Sequence, residues 1–232
     1  MARMINSRRL ATLVIVSASG CLGSAAAADR ASENAVRLAM LRYGLEAKTS
    51  VCFSGSFLSL VAMETSAGIG QELDQVDLSS DDLFSHPLAV MTGEGAFELT
   101  DDEVSRLRSF VLQGGFLLAS AGCSSDAWAI SMRRALARAF PEHELEELSL
   151  EHEVFHTLYD IREFVSRKRA RVSLQGLQIG GRLGVVFSAQ GLNDSGSAGV
   201  DEKGASCCCC TGDEILGAKY LNANIVMYAM TR

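Results

Sequence analysis

Proline is almost missing from this chain, with only Pro87 and Pro141 in 232 residues. No proline-rich linker divides the sequence and no internal repeat is visible, so one domain is the economical organisation. Net positive charge is missing too: the formal charge is −7, with 21 Lys and Arg against 28 Asp and Glu. An acidic chain lacks the electrostatic footprint of a nucleic-acid binder. Long apolar runs are also missing. Residues 10–16 are apolar but for Thr12, and so short a run flanked by Ser, Ala and Gly falls well short of the ~20 residues needed to span a bilayer.

Acidic residues are absent from positions 1–28, which carry Arg3, Arg8 and Arg9. A basic start, an apolar run and an alanine-rich end at Ala25–Ala28 read as a cleavable export signal, with a mature chain beginning near Asp29. Its removal takes the formal charge from −7 to −10. The expectation is therefore a periplasmic or secreted protein. Ala18-Ser19-Gly20-Cys21 also resembles the box preceding a lipidated cysteine, so a lipoprotein anchored at Cys21 is the alternative.

Residues 29–232 are long enough to bury a sizeable core without disulfides. The clearest stretch is His86 to Cys123, which reads strand, loop, helix, strand, loop. A short apolar run from Leu88 stops at Thr92-Gly93-Glu94-Gly95. Thr100 and Glu103 form a capping box ahead of Val104, Leu107, Phe110 and Val111 at helical spacing. Gly114-Gly115 ends that helix, and a second apolar strand runs into Gly122-Cys123. A strand–helix–strand unit of this kind builds a parallel sheet. Before it come a strand over 35–43, a helix from Phe57 closed by Gly68 and Gly70, and a short strand over 73–76. After it the spacing predicts a helix over 126–140 with Trp128, Ile130, Met132, Leu136 and Ala139 inward, stopped by Pro141. A strand is expected over 145–150 and a loop over 151–160. Gly180-Gly181 marks a hairpin between strands over 170–179 and 182–188. A glycine- and serine-rich loop over 191–206 leads to a last amphipathic helix over 213–230, with Ile215, Leu216, Leu221, Ile225, Val226 and Met230 as its apolar side.

Three residue sets could carry chemistry. His152-Glu153-Val154-Phe155-His156 has the HExxH spacing, which holds zinc when a helix puts both histidines on one face. Here it falls in an expected loop, so no zinc-protease centre is predicted. Cysteine is the more unusual signal: Cys52, Cys123 and the consecutive Cys207, Cys208, Cys209 and Cys210. An even count in an exported chain points first to disulfides, of which six cysteines allow 15 pairings. A zinc or iron site is the second reading, and four consecutive cysteines would need outside ligands to close a tetrahedron. Free or catalytic thiols are the third. The last set is positional. Ligands of parallel α/β sheets sit beyond the carboxyl ends of the strands, where Thr92, Gly93, Glu94 and Gly95, then Cys52, Cys123, Asn193, Asp194 and the cysteine run, are all expected.

The stretch HPLAVMTGEGAFELTDDEVSRLRSFVLQGGFLLASAGC, together with ELEELSLEHEVFHTLYDI, Leu174-Gln175-Gly176-Leu177, residues 188–194 and CCCCTGDEILGAKYLNANIVMYAM, resembles a bacterial family known only as domain of unknown function 4159. The resemblance spans nearly all of residues 35–232. It implies a class I glutamine amidotransferase-like, flavodoxin-like three-layer sandwich with a mainly parallel sheet, here ending in a β-hairpin and helix. It implies no activity. In amidotransferases of that fold the nucleophilic cysteine occupies the place Cys123 takes here, with a His-x-Glu element after a late strand. Nothing like that element follows Val185 to Ser188, so glutamine hydrolysis is not expected. The resulting expectation is a non-catalytic binding or scaffold protein with a cysteine-rich loop edge, taking an unidentified small molecule or a protein partner in the cell envelope. The alternatives are a metal-binding protein and, behind it, a thiol-dependent hydrolase.

Overall fold

Seven strands form one sheet in the order β2-β1-β3-β4-β7-β6-β5. The computed structural model describes residues 35–44, 53–166, 171–193 and 215–232. Within the compact unit Ala35–Arg232, the elements in chain order are β1 (Val36–Arg42), α1 (Phe57–Glu64), β2 (Ile69–Asp77), β3 (Leu88–Gly93), α2 (Asp101–Leu112), β4 (Phe116–Ala121), α3 (Asp126–Ala139), β5 (Glu146–Glu147), β6 (Gln175–Ile179), β7 (Arg182–Ser188) and α4 (Ala218–Thr231). The pairs β1–β2, β1–β3, β3–β4 and β4–β7 are parallel, and only β6–β7 and β5–β6 are antiparallel.

The central strands are mostly apolar because both faces are covered. Leu38, Met40, Leu88, Val90, Phe116, Leu118 and Val186 pack with α1 and α4 on one face. Ala39, Leu41, Ala89, Met91, Leu117, Ala119, Val185 and Phe187 pack with α2 and α3 on the other. The result is the three-layer α/β sandwich expected.

The β3–α2–β4 unit forms as its residues dictate. Thr100 Oγ1 accepts from Glu103 N, and Glu103 Oε2 accepts from Thr100 N at 2.8 Å, completing the capping box. Glu103 does more than cap. Its Oε1 accepts from Gly44 N at 2.7 Å, tying the end of β1 to the start of α2. The hairpin turn is equally explicit, with Gly180 and Gly181 at φ +60° and +82°, the paired positive values a tight two-residue turn demands.

Several sequence expectations are corrected. Gly70 does not close α1; it lies inside β2, which runs from Ile69 and is longer than the 73–76 expected. As the edge strand, β2 leaves Gln71 and Glu72 exposed, and that masks its apolar pattern. Ile130 is 51% exposed, because α3 turns only Trp128, Met132, Leu136 and their neighbours inward. Of the strand expected over 145–150, only Glu146–Glu147 pairs. The last helix begins at Ala218 and is not amphipathic. It buries Leu221 to Val226 without a break, while Leu216 precedes it and is 42% exposed.

Candidate functional site at the carboxyl edge of the sheet

Strand direction brings the ends of β1, β3, β4 and β7 to one edge. Because β7 runs parallel to β4, with Ser120 opposite Ser188, the segment after β7 reaches the same edge as Thr92, Glu94 and Cys123. The antiparallel partner in the hairpin is β6.

In register across this edge lie three buried hydroxyls: Thr92 opposite Ser120, and Ser120 opposite Ser188. All three have zero exposure. Each is two residues beyond a side chain of the α1/α4 face (Val90, Leu118 and Val186), so the alternation of a strand points all three toward that layer. Two of them anchor the loop beyond β7. Gly191 N donates to Ser188 Oγ at 3.0 Å and Leu192 N donates to Ser120 Oγ at 2.8 Å.

That loop is pinned further. Asn222 of α4 donates from Nδ2 to Leu192 O at 3.0 Å, and Asn193 Nδ2 donates to Ala121 O at 3.4 Å. Ser124 Oγ donates to Gln190 O at 2.8 Å. Gly191 has no substitute here: at φ +88°, a Cβ would sit 2.0 Å from Ala121 O.

Among the described residues, four buried side-chain oxygens make no hydrogen bond: Thr92 Oγ1, Gln190 Oε1, Asn193 Oδ1 and Asn222 Oδ1. All four belong to this edge. Leaving such an atom unsatisfied costs about 1–3 kcal/mol, and the four residues lie on β3, on the loop beyond β7 and on α4 where Asn222 holds that loop.

On the α3 side of the edge, Tyr43 OH donates to Thr92 O at 2.9 Å and accepts from Trp128 Nε1 at 2.6 Å. Burial pushes the Tyr43 phenol well above its usual range, against the Trp128 hydrogen bond that lowers it. The one tryptophan of the chain is thus wired to the backbone of β3. Beyond β4, Cys123 and Ser124 adopt left-handed backbone at φ 48° and 52°, which costs a non-glycine residue roughly 1–2 kcal/mol. Strain of this kind concentrates at functional turns. Cys123 Sγ lies 3.3 Å from Glu94 Oε1, and Gly95 N donates to Ser125 Oγ at 3.1 Å, which joins the turn after β3 to the start of α3; Thr92 and Gly93, expected in that turn, are the last residues of the strand.

Thr92, Gly93, Glu94, Gly95, Cys123 and Asn193 therefore stand together at the edge. Asp194, Cys52 and the run Cys207, Cys208, Cys209 and Cys210 lie outside the described residues. The HExxH segment is not an α-helix. His152 caps a 3₁₀ turn at Glu153–Phe155, its Nδ1 accepting from Val154 N at 3.1 Å. His156 Nδ1 sits 2.7 Å from Asp160 Oδ1, and its Nε2 2.6 Å from Leu150 O. Burial holds the His152 imidazole below its ordinary pKa, against a smaller opposing pull from Glu153. Sequence reasoning missed Ser120, Ser188, Gln190 and Asn222. Serine in an apolar strand and asparagine in an apolar helix carry no periodic signal, although a polar residue inside such a run is the hint available.

With this geometry in place, a family match decides the relationship. Residues 37–230 match the family described as a domain of unknown function, DUF4159. The chain belongs to the DUF4159 family. The match runs from the second residue of β1 through β7 and nearly all of α4, so the carboxyl edge lies wholly within the DUF4159 region. No curated protein matches the chain.

Proposed function

We propose that this DUF4159 chain is an exported, non-catalytic binding domain whose ligand or partner seats at the carboxyl edge of the sheet. One observation carries the reading: four buried, unpaired side-chain oxygens, on Thr92, Gln190, Asn193 and Asn222, gathered around the loop that follows β7. Amide oxygens and hydroxyls hold a ligand, and none of them titrates between about pH 4 and 9. They suit recognition better than acid–base chemistry. The strained turn at Cys123-Ser124 supports the same edge, since a backbone cost is retained where it presents a group. Export rests on the basic start, apolar run and alanine-rich end of the leader.

The test is equilibrium dialysis of the mature protein against a small-molecule extract of the cell envelope, with retained compounds read by mass spectrometry. Wild type should concentrate at least one compound that Thr92→Val does not. If wild type and variant retain the same set, or nothing, the edge is not a binding site.

The cysteines enter the same proposal. Cys123 stands on this edge, and a disulfide from it to Cys52 or to one of Cys207 to Cys210 would hold the edge loops together in an oxidising compartment. Peptide mapping without reduction tests this. Recovery of Cys123 unlinked in protein from an oxidising compartment would refute it.

A further inference from the structure

The binding reading above leaves the ligand's chemistry open, and the unpaired atoms narrow it. The Asn193 and Asn222 side chains are fixed in orientation, because each turns its Nδ2 to a backbone carbonyl, on Ala121 and Leu192. A carbonyl only accepts, so the amide nitrogen must face it and Oδ1 must face the other way. The atoms left over at this edge are therefore acceptors by construction.

Thr92 adds a pattern. In the register row of three hydroxyls, Ser188 Oγ accepts Gly191 N–H and Ser120 Oγ accepts Leu192 N–H. Thr92, the third member, lies on the next strand over and receives no N–H. The loop thus supplies backbone N–H donors to two positions of the row and leaves the third open. Hydrogen counting points the same way. A primary ammonium offers three hydrogens, and a carboxamide offers two in a fixed plane matched to side-chain and backbone amides. A carboxylate or phosphate brings only acceptors and would meet three amide oxygens that also only accept, with the Thr92 hydroxyl alone of the four oxygens able to donate, even though helix starts at such an edge commonly favour anions.

We infer that the carboxyl edge recognises its ligand through an N–H-bearing group, a primary ammonium or a carboxamide, received by Thr92, Asn193 and Asn222. This rests on the binding reading and specifies it. The group continues the hydroxyl row by giving Thr92 the N–H that Ser120 and Ser188 take from the chain.

The test follows the side-chain amide signals of Asn193 and Asn222 in the ¹⁵N-labelled mature protein. Methylammonium chloride, acetamide and sodium acetate are titrated separately at constant ionic strength. Saturable shifts of both signals with methylammonium or acetamide, and none with acetate, are expected. A response to methylammonium alone identifies a charged ammonium, and one to acetamide alone a neutral amide. Thr92→Val should weaken the response about 5-fold, the equivalent of one hydrogen bond of ~1 kcal/mol, and Thr92→Ser should restore it. Saturable binding of acetate, or silence with both N–H probes, overturns the inference. If dialysis still retains a compound in that case, the edge binds by another chemistry. If dialysis also retains nothing, both readings fall.

Discussion

Replacing Glu103 with alanine should destabilise the domain far more than its place at a helix start implies. Glu103 is 7% exposed, and its two carboxylate oxygens serve three donors. Oε2 accepts Thr100 N at 2.8 Å and Thr100 Oγ1 at 3.2 Å, and Oε1 accepts Gly44 N at 2.7 Å. Loss of the capping interaction costs about 1 kcal/mol. The Gly44 N–H, partly buried at the end of β1, loses its only side-chain acceptor among the described residues, and an unsatisfied group of that kind costs about 1–3 kcal/mol. A further ~0.5 kcal/mol goes with the negative charge at the start of α2. The total is roughly 2.5–4.5 kcal/mol, and at about 2–4 °C per kcal/mol for a domain near 200 residues, Tm should fall by about 5–18 °C. Differential scanning calorimetry of the protein at pH 7 measures it. Glu103→Gln keeps one acceptor oxygen and a residue the capping box tolerates, so it should recover about half the loss. The exposed Glu98→Ala is the control, expected within ±0.5 kcal/mol of wild type. A Glu103→Ala Tm within 1 °C of the Glu98→Ala value would show that this carboxylate does not join β1 to α2.

Three other substitutions probe the same framework. Gly191→Ala places a Cβ 2.0 Å from Ala121 O at φ +88°, and should lower Tm by more than 10 °C or prevent recovery of soluble protein; a shift under 3 °C would contradict the close approach of the β7 loop to β4. Tyr43→Phe removes the acceptor of the Trp128 indole N–H, so the intrinsic fluorescence of the single tryptophan should shift in wavelength and stability should drop by about 1–3 kcal/mol; an unchanged spectrum argues against that bond. His152→Asn keeps an N-cap acceptor for Val154 N while removing a titrating group. The His152 pKa is depressed in the fold, so its contribution is fully present above the unfolded value near 6.5 and is lost as pH falls through the folded one. Wild-type Tm should therefore fall more steeply than the variant's below about pH 6.5, and parallel curves in calorimetry across pH 5–7 would refute the assignment.

The central β3–α2–β4 unit was legible because local signals and tertiary demand agree there: the Thr100–Glu103 box, the apolar spacing of Leu107, Phe110 and Val111, and strands too short and too apolar to be anything but buried. The hairpin at Gly180-Gly181 was legible for the same reason. Legibility failed at the margins of the sheet and in the last helix. An edge strand such as β2 owes its existence to pairing with β1 along one side, and Gln71 and Glu72 satisfy solvent instead of a core. The last helix lies against the sheet, its neighbouring helix and two loops, so burial on nearly every side erased the 3.6-residue rhythm. Thr92, Glu94, Cys123 and Asn193 could be placed at the carboxyl edge once the order of strands and loops was read. The hydroxyl row and Asn222 could not, since cross-strand register is not written in any one segment.

The two asparagines of α4 have a consequence for the order of events in making this protein. Asn222 holds the loop beyond β7 through Leu192 O. Asn224, two positions on, accepts from Leu158 N and Tyr159 N and donates to Tyr159 O. Both clasps follow all seven strands in chain order, and synthesis proceeds from the amino end. The sheet's strands can all have emerged while these loops still lack their anchors. Assembly of the edge therefore waits for α4, and a truncated copy ending before that helix would carry Thr92, Ser120 and Ser188 without the hold that Asn222 keeps on the loop beyond β7.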